Sequence, residues 1–146
     1  MPFDPRTAFD PVAWPTDNED QPWYVAELAL WSATSDSIVE DHEIDAVVST
    51  LRQIKALADF SREDAEEILE EMERYTSAYA VNDRITALAT HITDPTLRRV
   101  SYQLAAYCAA SDGELTRDEE DFLHFLQEAF GFTDAEADGL FREVTS

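Results

Sequence analysis

Between residues 111 and 123 the chain reads SDGELTRDEEDFL, placing Asp112, Glu114, Thr116, Asp118 and Glu120 on alternate positions. Alternating oxygen donors of this kind could hold a hard cation such as Ca²⁺. An EF-hand loop also needs glycine at its sixth position, for the sharp turn, and a bidentate glutamate at its twelfth, to close the coordination shell. Those positions hold Arg117 and Leu123, so an ordinary EF-hand is excluded. A metal-free reading stands beside the metal one. Asp112-Gly113 is a turn dipeptide, and Thr116-Arg117-Asp118-Glu119 has the T-x-x-E spacing of a capping box, in which Thr116 and Glu119 satisfy each other's backbone N–H groups at a helix start.

Other chemistry finds less support. His42, His91 and His124 are dispersed and lack cysteine or histidine neighbours at zinc spacing, which reads as surface or packing histidines. Glu120 and His124, four apart, could share a metal or simply a solvent face. No nucleophile has an adjacent base, and there is neither a glycine-rich phosphate loop nor an H-E-x-x-H motif, so no catalytic residue is assigned and no enzyme is expected. The single cysteine, Cys108, sits among alanines and reads as a small core residue.

The elements that must position these groups are helical. Residues 1–20, with four prolines and no periodicity, read as an extended Pro/Asp-rich arm that Phe3, Phe9 and Trp14 could tack onto the body. From Pro22 onward apolar residues recur at helical spacing, predicting helices over 22–35, 41–58, 62–73, 76–92, 95–110, 117–130 and 134–144. Asp94-Pro95 marks an N-cap followed by proline at the first helical position. Ala65, Ile68, Leu69 and Met72 form an apolar stripe opposite Glu63, Glu66, Glu67, Glu70 and Glu73.

An internal repeat links the two halves. Leu28, Ala29, Ala33, Ser35, Asp36, Glu43 and Asp45 have identical counterparts at one constant offset, Leu104, Ala105, Ala109, Ser111, Asp112, Glu119 and Asp121. Further on, the offset shrinks by four residues, which predicts one extra turn in the 41–58 helix. Two similar three-helix units, about 22–73 and 95–144, would then be joined by a connector at 76–92, all within a single domain over 21–146. The first loop keeps Asp36 and Glu43 without glycine or a Ser/Thr cap. That retention favours a shared second role for the two Asp/Glu pairs, and the metal candidates are Asp112, Glu119, Asp36 and Glu43.

Charge sets the partners. With 32 acidic and 10 basic residues the formal net charge is −22. Such a surface repels nucleic-acid phosphates and anionic lipid and attracts divalent cations or basic proteins. A halophilic or high-GC source would give the same composition with no functional content. No apolar run reaches membrane length, so a cytoplasmic chain without direct membrane insertion is expected.

An alanine-rich helix ending in Asp-Gly, a short loop, a glutamate seven residues after the aspartate and an apolar helix together resemble the TerB family of tellurite-resistance proteins, including the N-terminal domain of a DnaJ-like co-chaperone. The resemblance runs best through AAYCAASDGELTRDEEDFLHFLQEAFGFTDAEADGLF, more weakly through residues 28–73, and leaves 1–20 uncovered. It implies an all-helical fold of two similar halves, a cytoplasmic role in bacterial stress response, and divalent-metal binding through Asp112 and Glu119, with Asp36 and Glu43 as the first-loop counterparts. Ser37 stands where the pattern has glycine. The expected function is an acidic binding or scaffold module, with Ca²⁺ the favoured cation because oxygen ligands are what the chain offers in quantity. The alternative is a metal-free adaptor that docks a basic partner, free or membrane-associated.

Overall fold

Several helix starts in this protein are fixed by residues close by in sequence. In the computed structural model, which describes residues 3–12, 14, 20–34, 40–110 and 115–145, Ser61 Oγ accepts from the Asp64 N–H at 3.1 Å while Asp64 accepts from the Ser61 N–H at 2.9 Å. Thr133 and Glu136 make the same reciprocal pair, at 3.1 and 3.0 Å. Asp94 caps by accepting from the Leu97 N–H at 2.9 Å, with Pro95 at the first helical position. Each such cap satisfies N–H groups that would otherwise lack partners.

The described residues form eight α-helices and no strand: α1 Pro5–Phe9, α2 Gln21–Ala33, α3 Asp41–Leu51, α4 Arg62–Met72, α5 Ala78–His91, α6 Pro95–Ala109, α7 Arg117–Phe130 and α8 Asp134–Thr145. The all-helical class read from periodicity is what the structure has. Two expectations are corrected. The arm is not wholly extended, because Asp4 accepts from the Arg6 N–H at 3.0 Å and Pro5 opens α1, the same Asp-Pro device that starts α6. Phe9 is buried, Phe3 packs on Tyr107 at 5.5 Å and Phe9 on Trp14 at 6.1 Å, so these three aromatics do tie the segment to the body.

The second correction concerns residues 41–58, where α3 stops at Leu51 and the added turn of α-helix is absent. Leu51, Ile54, Leu57 and Phe60 are buried at a spacing of three, and each N–H from Ile54, Leu57 and Phe60 donates to the carbonyl three residues back, at 3.0, 2.8 and 3.0 Å. A spacing of three keeps one face inward only if the backbone tightens toward 3₁₀ geometry, as it does over Lys55–Leu57.

The core is centred on α2 and α6, which make the most extensive helix–helix contact. Ala29 and Leu28 of α2 and Leu104, Ala105 and Ala109 of α6 are all buried. Close approach of the backbones is visible in the Ser32 hydroxyl of α2, which donates to the Ala105 carbonyl of α6 at 2.6 Å. The order of three helices occurs twice, α2–α4 and α6–α8, on either side of α5. Their internal contacts differ: α3 packs on α4, whereas α8 packs chiefly on α6.

Candidate metal centre and acidic loops

The four residues singled out by the Asp/Glu spacing have different fates. Asp36 and Asp112 lie outside the described residues. Glu119 is the third residue of α7 and is buried, with Oε1 accepting from the Thr116 N–H at 2.8 Å while Thr116 Oγ1 accepts from the Glu119 N–H at 3.1 Å. One carboxylate oxygen is thus committed to a complete capping box. Glu43 stands in the first turn of α3, which has no side-chain cap on its preceding residue Glu40.

What gathers around Glu43 is a donor set that the sequence reading passed over. Glu40, His42 and Glu43 each offer a ligand atom, and those atoms lie within 4.8 Å of one another. His42 Nδ1 is 3.1 Å from Glu40 Oε2. All three fall within four residues at the start of a helix, in the run Glu40-Asp41-His42-Glu43, so the signal was local. With no second histidine or cysteine beside it, His42 reads in the sequence as a surface residue. The set is chemically suited to a borderline cation, since imidazole nitrogen suits zinc-type ions while calcium takes oxygen. The neighbouring acids are already compensated: Arg62 of α4 reaches Asp41 at 2.9 Å, Asp45 at 2.5 Å and Glu66 at 3.2 Å.

The remaining histidines do not converge on an acidic loop. His124 pairs with Glu128 at 3.2 Å rather than with Glu120, and His91 stacks on Tyr24 at 5.3 Å.

Residues 24–140 match the family model of the tellurite resistance protein TerB. The chain belongs to the TerB family. No curated protein and no solved structure matches it. The matched span runs from the first turns of α2 into α8, so the TerB region includes both acidic helix starts and the α2–α6 core. It leaves out α1, which this TerB chain adds against α6.

Two polar assemblies inside the TerB region escaped sequence reasoning because their partners are far apart in the chain. Glu27 of α2, only 8 % exposed, takes a bidentate grip from Arg84 of α5, Nε to Oε2 at 2.9 Å and Nη2 to Oε1 at 2.8 Å, and accepts from the Trp31 indole at 2.9 Å. Fork-to-carboxylate pairing of this kind satisfies a buried charge and fixes α5 against α2. Arg98, in the first turn of α6, donates to the carbonyls of Ile92 at 2.6 Å, Phe130 at 3.3 Å and Ala89 at 3.4 Å, and lies 5.8 Å from the Phe130 ring centroid. It thereby serves the carbonyl ends of α5 and α7 together, where a cation is favoured.

Proposed function

We propose that this TerB-family chain is a non-enzymatic acidic scaffold module of a bacterial stress response, acting in the cytoplasm, which takes a divalent cation at the start of α3 and docks a protein with a basic surface. The observation that carries the cation half is the convergence of Glu40, His42 and Glu43 within 4.8 Å. One nitrogen and two carboxylates favour a zinc-type ion over calcium, with Asp36, four residues before Glu40 in sequence, a candidate fourth ligand. The partner half draws on the charge of −22, which repels nucleic acid and attracts basic proteins. No helix among the described residues is long and apolar enough to cross a membrane.

Thermal unfolding with Zn²⁺ or Ca²⁺ added to the chelator-treated protein tests the cation half. An ion that binds the folded chain at 100 times its Kd adds about 2.7 kcal/mol of stability. The expected result is a Tm rise with Zn²⁺ that is lost in His42→Ala and Glu43→Gln and kept in Glu119→Gln, because glutamine also completes a capping box. A Tm unmoved by either ion, or moved equally in all variants, overturns it. The metal-free adaptor would then stand, favoured by the box that already occupies Glu119 and by the helix N-terminus, which stabilises the carboxylates of Glu40 and Glu43 without a cation.

A further inference from the structure

α5 and α7 pack on each other, and residues from their first halves line a groove of about 440 Å³. Its floor is apolar, made by Val81 and Ile85 of α5 and Phe122 and Phe125 of α7, and its α7 side carries Asp118 and Asp121. Ile85 and Phe122 are buried, whereas Val81 and Phe125 are only partly buried, so part of the apolar floor reaches the surface. Beside it Tyr79, which follows the groove residue Ala78, is 82 % exposed, far more than any other large hydrophobic among the described residues. Exposed apolar surface beside polar groups on one face marks interaction sites.

The acids identify the occupant. Asp45 and Asp121 are the same position of the internal repeat, and in the first half Arg62 neutralises Asp45 at 2.5 Å. Among the described residues no ion pair reaches Asp121 or Asp118; where Asp45 has a cation from its own chain, Asp121 has none. We propose that the groove between α5 and α7 docks a basic amphipathic helix of a partner protein. Its leucine-like side chains would lie on Phe122, Phe125 and Val81, and its lysine or arginine stems would run over the same floor to place their charges at Asp118 and Asp121. The inference rests on the partner half of the proposed function and is independent of the cation half.

The probe is a labelled helical peptide of about 18 residues with leucine at i, i+3, i+4 and i+7 and lysine elsewhere, compared with a scrambled peptide of identical composition that has no apolar face. Fluorescence anisotropy on the full chain should show the amphipathic peptide binding at least tenfold more tightly than the scrambled one. Binding should fall about tenfold in Asp118→Asn/Asp121→Asn and in Val81→Glu, and stay unchanged in Glu66→Gln/Glu70→Gln on the acidic face of α4. Amide shift changes on the unmodified chain should centre on residues 78–85 and 118–125. Equal affinity for the two peptides, or equal losses from the α4 and α7 variants, would mean diffuse charge attraction; that overturns the groove and leaves the basic-partner reading standing. Absence of binding by either peptide overturns both.

Discussion

Cys108 shows how far the fold can suppress a reactive side chain. Burial on α6 among alanines pushes its thiol up from an ordinary 9.0 to about 12, so at neutral pH it is neither a nucleophile nor a metal ligand. The same shift makes the thiol a stability term at alkaline pH. Above pH 9 the unfolded thiol ionises while the folded one keeps its proton, so the unfolded state is favoured and stability falls, by up to about 1.4 kcal/mol per pH unit, until the folded thiol itself ionises near 12. Denaturant unfolding at pH 8 and pH 10.5 should therefore show a steeper loss for the natural protein than for Cys108→Ala. Equal losses would mean that the thiol is not buried in solution.

At the scale of elements, α2 and α6 hold the molecule together. Leu104 of α6 is completely buried, so Leu104→Ala removes apolar contact and opens a void; a cost of about 2–5 kcal/mol is expected. At about 2–4 °C per kcal/mol for a chain of this size, a melting experiment resolves it easily. The two helices themselves were legible in the sequence, because periodicity is a property of a single helix. The capping box at Thr116 was legible for the same reason, its partner Glu119 being three residues on. The end of α3 was not. Leu51, Ile54 and Leu57 fit a period of 3.0, but over so short a span they also pass for one face of a 3.6-residue helix, and the hydrogen bonds to the third residue back decide it. Sequence spacing also could not bring Glu27 to Arg84, which is a consequence of how α5 lies on α2. In the candidate site the Asp/Glu spacing singles out Glu43 but does not join it to Glu40 and His42, whose ligand atoms lie within 4.8 Å of one another and of its own. His42 has no sequence neighbour of its own type, and the carboxylates beside it supply the other donors instead.

Over the whole molecule, ten basic residues face 32 acidic ones, and two arginines, Arg62 and Arg98, each meet three acids or carbonyls at once. Arg62 gathers three carboxylates across α3 and α4, and Arg84 closes on a buried one. The acids left over form a field that reaches roughly a Debye length, about 8 Å at physiological salt, into solvent. Both proposed ligands, the cation and the basic helix, would arrive along that field, and their association should slow as salt is added.

Arg98 has a consequence for motion. Its guanidinium joins the last carbonyls of α5 and α7, two helices whose ends would otherwise fray independently, to the first turn of α6. Local openings at these ends are thereby made a single event. In amide hydrogen exchange the final turns of α5 and α7 should open together, with matching rates. Arg98→Lys retains the charge but loses the planar fork that spans three acceptors. Exchange in both turns should then accelerate and the two rates should part, while the amides of α2 hold their protection.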